Sequence, residues 1–233
     1  MSVELAEIVR ILDREEYAEP LTLAPPGSVP AEPLPEHWRP ILESDDAETR
    51  RLTALSLWNR EFLDLVPQFA HELRTGLADV RVGHQNGEAV LVYAFEHFDY
   101  GERVVTCWIG WDPATFGDAE PPIYACVPEP LRVFYRQVHA GFTASNWEFG
   151  PIRPKYLRTL SGFLHATEDD SDLWEGQDIP WTRLLVVAIT GTVYYCVSPD
   201  LPPGAAVQVA DGQPDDPEDF GWLLDKAMMY YFE

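Results

Sequence analysis

His71 and Glu72 stand together in a stretch of helical periodicity. That is half of a zinc-protease pair, but the second His such a pair requires four residues beyond the first is replaced by Thr75. The six histidines are scattered, none pairs with another at metal-ligand spacing, and no Cys-x-x-Cys occurs, so neither a metal nor another cofactor is expected. Glu168, Asp169, Asp170 and Asp172 are dense enough to hold calcium weakly, yet they lack the mid-loop Gly of an EF-hand, and a solvated acidic loop is the simpler reading. There is no Gly-x-Ser-x-Gly elbow, no Walker loop and no Gly-x-Gly-x-x-Gly after a strand. Cys126 and His139 could meet in space as thiol and base, but Cys126 lies in an apolar, strand-like segment where a thiol stays protonated and inert. Paired carboxylates for glycoside chemistry lose diagnostic value in a chain with 39 acidic residues. These residues predict a binding protein rather than an enzyme, with no catalytic residue to name.

Charge is the more informative signal. The 39 acidic residues stand against 16 basic ones, a formal net charge of -23, which repels phosphate backbones and anionic membrane surfaces and excludes nucleic acid and membrane as expected partners. The same field attracts basic proteins and speeds their approach. Two segments concentrate it. Glu168, Asp169, Asp170, Asp172, Glu175 and Asp178 surround Trp174, and Asp211, Asp215, Asp216, Glu218 and Asp219 precede the last helical stretch. Carboxylates around an aromatic suit a protein contact, because the ring supplies buried area while the acids pair with Arg or Lys. For the second segment an equal alternative stands, in which Asp215, Asp216, Glu218 and Asp219 favour the positive end of a helix dipole. The expected partner-binding residues are therefore Glu168, Asp169, Asp170, Asp172, Trp174, Glu175, Asp215, Asp216, Glu218 and Asp219.

The elements that would position them follow from periodicity. Val3, Leu5, Ile8, Val9 and Leu12 make an amphipathic helix that stops by Pro20, and the run from Pro20 to Pro40 has too many missing amide donors for helix or central strand. That run is a strap, either laid across the body through Leu34 and Trp38 or left as a tether. Ser44, Asp45 and Asp46 can cap a helix whose stripe runs through Leu52, Leu55, Trp58, Phe62, Val66, Phe69 and Leu73 to Gly76, with a kink or break at Pro67. Strands are predicted at Val80 to Gly83, Ala89 to Phe98, Val104 to Trp111 and Ile123 to Val127, with Asn86-Gly87 and Tyr100-Gly101 as turns. A helix behind Pro128 and Pro130 carries Leu131, Phe134, Tyr135 and Val138 and closes on Gly141 as a left-handed cap. An aromatic-rich loop, Phe142 to Trp181, leads to strands at Leu184 to Thr190 and Val193 to Ser198, a short extension at Val207 to Ala210, and a final helix over Pro217 to Phe232. The fold class is α+β, mostly antiparallel sheet with helices packed on one side, divided as residues 1–43 (helix and strap) and 44–233 (strand-rich 80–127, then 128–233). Cys107, Cys126 and Cys196 are odd in number and set in apolar runs, the N-terminal stretch lacks a basic region followed by an unbroken apolar run, and no span approaches about 18 apolar residues. The expected location is cytoplasmic.

Val127-Pro128-Glu129-Pro130-Leu131, then Phe134-Tyr135, then His139-Ala140-Gly141-Phe142 resembles the Leu-Pro, aromatic, Asn-Gly pattern of the SMI1/KNR4 (SUKH) superfamily. Leu185 to Gly191, Val193 to Val197 and the Phe220 to Phe232 helix are similar to its later elements in order, so the resemblance covers about residues 127 to 233. Val127 stands where Leu is usual and Ala140 where Asn is usual, and the stretch from Val80 to Val127 is richer in strands than the family pattern. The resemblance implies a bacterial immunity protein that binds and neutralises a cognate toxin, often a nuclease or deaminase, with Pro128, Phe134 and Gly141 structural. A toxin that grips phosphate is basic, which agrees with the charge. The alternative is a scaffold or regulatory domain that engages another protein through the N-terminal helix and strap. An enzyme of unrecognised type is the third reading.

Overall fold

Asn86-Gly87 and Tyr100-Gly101 each put two successive residues in the left-handed region, which is the geometry that folds a right-twisted strand back onto its neighbour. The computed structural model describes residues 3–13, 20–28, 33–166, 174 and 179–232. The chain begins with α1 (Leu5–Leu12), β1 (Leu21–Leu23), α2 (Arg39–Glu43), α3 (Ala47–Leu55), α4 (Arg60–Leu65) and α5 (Pro67–Thr75). It continues through β2 (Leu77–Gln85), β3 (Glu88–Asp99), β4 (Glu102–Trp111), α6 (Glu129–Gln137), β5 (Phe142–Ala144) and α7 (Leu160–Phe163). It closes with β6 (Leu185–Thr190), β7 (Val193–Val197), β8 (Ala205–Ala210), β9 (Gln213–Pro214), β10 (Glu218–Asp219) and α8 (Phe220–Met229). The fold is α+β with antiparallel pairing throughout: one sheet in the order β1-β2-β3-β4-β5, another in the order β10-β8-β7-β6 with β9 also on β8.

β3 shows how one strand serves two layers. Successive side chains point to opposite faces, so Leu91, Tyr93 and Phe95 enter the main core while Val90, Val92 and Ala94 enter a smaller one under α1. The helix α1 buries Ile8 there and is pinned to β4 by Arg103 and Glu7 at 2.9 Å. On the other face α2, α3 and α5 pack on β2, and α8 lies across β6, β7 and β8 while touching α4 and α5. The main core therefore runs without interruption from Trp38 to Met228. The strap lies across the body where it is described. Leu21–Leu23 forms the edge strand on β2, a position that tolerates prolines nearby, and Trp38 is completely buried.

Several sequence expectations need correction. The long stripe from Leu52 to Leu73 is three helices: Pro67 starts α5 as expected, but an extra break at Ser56–Asn59 bends Trp58 and Phe62 inward. Ile123 to Val127 is not a strand; Tyr124–Cys126 is a 3-10 turn entered from Ile123 at φ 49°, and it hands the chain to Pro128 at the start of α6. Gly141 does not cap α6, which ends at Gln137 with Val138 as its right-handed C-cap. Gly141 adopts φ +105° three residues later, where a Cβ would meet Arg153 at 2.7 Å. The stretch from Phe142 to Trp181 is not all loop, since it holds β5 and α7. The last helix begins at Phe220, because Glu218 and Asp219 pair with Ala206 and Ala205 first.

The two sheets are joined by backbone. Glu148 and Pro151 accept, through their carbonyls, the amides of Ala144 and Phe142 on β5 (both 2.9 Å). The amides of Phe149 and Ile152 donate to Ile189 and Val187 on β6 at 2.8 and 3.0 Å. Gly150 permits that approach, since a Cβ there would sit 2.2 Å from the carbonyl oxygen of Phe142.

Three buried polar side chains, Asp79, Asp225 and His139, have partners from distant parts of the chain. Arg50 makes a two-pronged contact with the fully buried Asp79, both bonds 2.8 Å, and Arg81 adds a third at 2.7 Å. Asp225, buried in the middle of α8, accepts the amides of Gln68 and Phe69 at 3.0 and 2.9 Å. It thereby caps α5, a helix far away in sequence that starts on a proline without a cap of its own. His139 lies flat against β4 at Gly110, where a Cβ would come within 2.6 Å of the ring. Its Nε2 accepts from the Tyr93 hydroxyl at 2.8 Å and its Nδ1 faces the Trp111 carbonyl at 3.3 Å, which defines a neutral tautomer.

Two outcomes follow from these buried groups. Asp225→Ala should cost roughly 2 to 3 kcal/mol in urea unfolding, because two buried amides lose a charged acceptor, and Asp225→Asn should cost less; an unchanged midpoint for the Ala variant would show that α5 needs no cap from α8. Burial holds the His139 imidazolium pKa down at about 3, so protonation favours the unfolded chain. Its contribution is complete above about pH 6.5 and is lost as pH falls from there toward 3, by about 1.4 kcal/mol per pH unit. His139→Gln should remove that part of the slope in stability against pH; identical slopes would refute a buried neutral imidazole.

Candidate functional site

The second acid-rich segment is wound along the edge of β8. Asp211 and Gly212, at φ 50° and 77°, turn the chain so that Gln213–Pro214 pairs back on Ala210 and Val209. The amide of Asp215 then donates to the Gln208 carbonyl at 2.9 Å, and Glu218–Asp219 rejoins β8 further along. This leaves Asp215, Asp216, Pro217, Glu218 and Asp219 exposed in a row. Asp219 is the N-cap of α8, its carboxylate taking the Trp222 amide at 2.9 Å. Asp215, Asp216 and Glu218 make no ion pair or side-chain hydrogen bond among the described residues. The two readings of this segment thus divide by residue: Asp219 caps, and the other three carboxylates face water.

The exposed aromatic beside these acids is Trp222. The apolar stripe of α8 is Phe220, Leu223, Leu224, Ala227 and Met228, all buried, and Trp222 falls outside it, 47% exposed. Lys226, one turn on, holds its ammonium 5.1 Å from the Trp222 ring and donates to the Gln208 side chain at 3.2 Å. Reading phase as well as composition would have found Trp222, because a Trp off the buried stripe of a docked helix has to point outward.

Trp174, expected as a partner contact, is partly covered by the chain's own rings. It is half-buried against the main core, stacks on Trp181 with ring centres 6.1 Å apart, and donates its indole N–H to the Ile179 carbonyl at 3.2 Å. With Leu164, Trp181, Tyr194, Val209 and Asp211 it lines a groove of about 480 Å³, which brings the ring of the first acid-rich segment next to the start of the second. Glu168, Asp169, Asp170, Asp172, Glu175 and Asp178 lie outside the described residues.

Cys126 is partly exposed, whereas His139 is fully buried. The imidazole is enclosed by Tyr93, Trp38, Trp58, Phe134 and Phe142, and no hydrogen bond joins it to Cys126 among the described residues. Burial pushes the Cys126 thiol up to about 11, in a 3-10 turn rather than the strand expected. Among the described residues no group of three or more His, Cys, Asp or Glu could hold a metal ion, and no helix is long and apolar enough to cross a membrane.

Comparison of the chain with family models, curated proteins and solved structures finds no match.

The division of labour in the acidic row is measurable. Asp219→Ala should lower stability by about 1 kcal/mol through loss of the cap, whereas Asp215→Asn with Asp216→Asn should stay within about 0.5 kcal/mol of wild type. Equal losses in chemical unfolding would mean that the whole row is structural.

Proposed function

We propose that this chain is a non-enzymatic binding protein of the immunity type, which neutralises a basic, nuclease-like toxin in the cytoplasm by covering its cationic surface. The observation that carries the reading is the row Asp215, Asp216 and Glu218, unpaired among the described residues, set beside the exposed Trp222 on a chain of net charge -23. Unpaired carboxylates keep their attraction for incoming Arg and Lys, and an adjacent indole supplies the apolar area that slows dissociation. A toxin that acts on nucleic acid presents a phosphate-binding surface of opposite sign, and occupying it blocks the substrate directly. The resemblance of residues 127 to 233 to SUKH proteins adds a second, independent argument for the same use.

The scaffold alternative assigns partner binding to α1 and the strap. Those elements are largely committed elsewhere: Trp38, Ile41 and Leu42 lie in the main core and Leu21–Leu23 completes a sheet edge. Deleting residues 1–43 would open the core rather than remove a docking arm.

Capture on the immobilised chain from the source organism, followed by stopped-flow association with the recovered partner, tests the proposal. Replacing Asp215, Asp216 and Glu218 together with Lys should slow association about tenfold or more at low salt, with the difference shrinking as salt is raised. Trp222→Ala should act mainly on dissociation. A partner that is acidic, or an association rate untouched by the triple reversal, would defeat the reading.

A further inference from the structure

We infer that the cleft at the joint between the two sheets is a binding site for a small planar aromatic anion, a second site separate from the acidic row. The cleft has a volume of about 540 Å³, within the roughly 300 to 1,000 Å³ typical of small-molecule sites. One wall is three rings in contact: Trp147 lies 6.0 Å from Trp111 and 5.7 Å from Tyr156, centre to centre. Arg153 locks this wall. It is buried, places its guanidinium 4.9 Å from the Trp111 ring and 5.9 Å from Tyr156, and is neutralised by Glu88 at 2.7 Å. The wall is therefore assembled before any ligand arrives.

Two features of the lining ask for a particular chemistry. The indole N–H of Trp147, a lining residue, is shielded from solvent and has no acceptor among the described residues, which is costly for a donor unless a ligand supplies one. The side chain of Arg158, exposed at the same cleft, has no ion-pair partner among the described residues. His165 offers an imidazole alongside. Among the described residues the one carboxylate in the lining, Glu148, is within 3.4 Å of the Asn146 amide. The backbone agrees, because Trp147 sits at φ +74° and His165 at φ +53°, conformations that bulky side chains rarely adopt and that structures hold where a side chain must be aimed. A flat ring against the aromatic wall, an oxygen acceptor for the Trp147 N–H and a negative charge for Arg158 together describe an aromatic carboxylate or its equivalent. The acidic row cannot use this cleft for a basic partner, whose cations Arg158 would repel.

Titration of the full chain with 2-naphthoate, with 2-naphthylmethanol as the neutral ring of the same shape, decides the matter. In nitrogen-proton correlation spectra the Trp147 indole signal, assigned by its loss in Trp147→Phe, should move on adding naphthoate at about 5 mM or less. Naphthylmethanol should bind about tenfold more weakly, and Arg158→Gln, on an exposed side chain, should bring naphthoate down to that level while leaving naphthylmethanol unchanged. An indole signal that stays put, equal binding of the two probes, or an Arg158→Gln variant that binds naphthoate normally would each overturn the assignment. None of these outcomes depends on Asp215, Asp216 or Glu218, so this site and the protein-binding row stand or fall separately.

Discussion

The backbone between Glu148 and Ile152 serves two sheets at once, and most of the architecture depends on it. Two of its carbonyls satisfy β5 and two of its amides satisfy β6, so neither sheet ends there in unpaired edge groups. The arrangement requires close backbone contact, which Gly150 permits. Trp147, just before this segment, and Phe149, within it, both adopt positive φ. Because the sheets are joined in this way, α8 can cover the second sheet and still touch α4 and α5, and one core fills the space between. The aromatic cleft lies against the same segment.

Long-range polar contacts then fix how the layers sit. Asp225 ties α8 to the first amides of α5, Arg50 ties α3 to β2 through Asp79, and His139 ties the end of α6 to β3 and β4. Each of these groups would be expensive to bury alone, and each is hydrogen-bonded to an element distant in sequence. Their value is registry: an apolar stripe tolerates sliding, whereas a carboxylate facing two amides does not. The same logic applies to His139, whose ring is fully buried. Its ring nitrogens are used up by Tyr93 and Trp111, and burial keeps it uncharged.

The surface carries two unlike features. Along β8 a row of carboxylates with Trp222 faces outward, suited to a large cationic partner. At the sheet joint a narrow aromatic cleft offers Arg158 and an indole donor, suited to something small and negative. In a chain of net charge -23 the second feature is the less expected one, because the overall field opposes an anion and only local donors held in place can favour it. The proposed immunity function draws on the first feature alone.

Much of the secondary structure was legible from local rules. The β2 to β4 hairpins, the caps at Asp46 and Asp219, the break at Pro67 and the α6 helix behind Pro128 all follow from turn chemistry, capping and side-chain period. The α+β class followed from those elements. What local rules missed has a common cause. The 3-10 turn at Tyr124–Cys126 and the strand β5 have short apolar sequences compatible with more than one conformation, and their partners chose between them. Composition located the acidic row but named no aromatic beside it, since Trp174 belongs to the first acid-rich segment; Trp222 is found by adding the phase of α8 to composition. The cleft was invisible in the sequence altogether. Trp111, Trp147, Arg158 and His165 are spread over more than fifty residues with no spacing that links them, and they converge only because hydrogen bonding closes the two sheets on the segment between β5 and β6. Sequence determined what is settled within a few neighbours along the chain; tertiary structure decided what depends on amides and carbonyls finding partners across it.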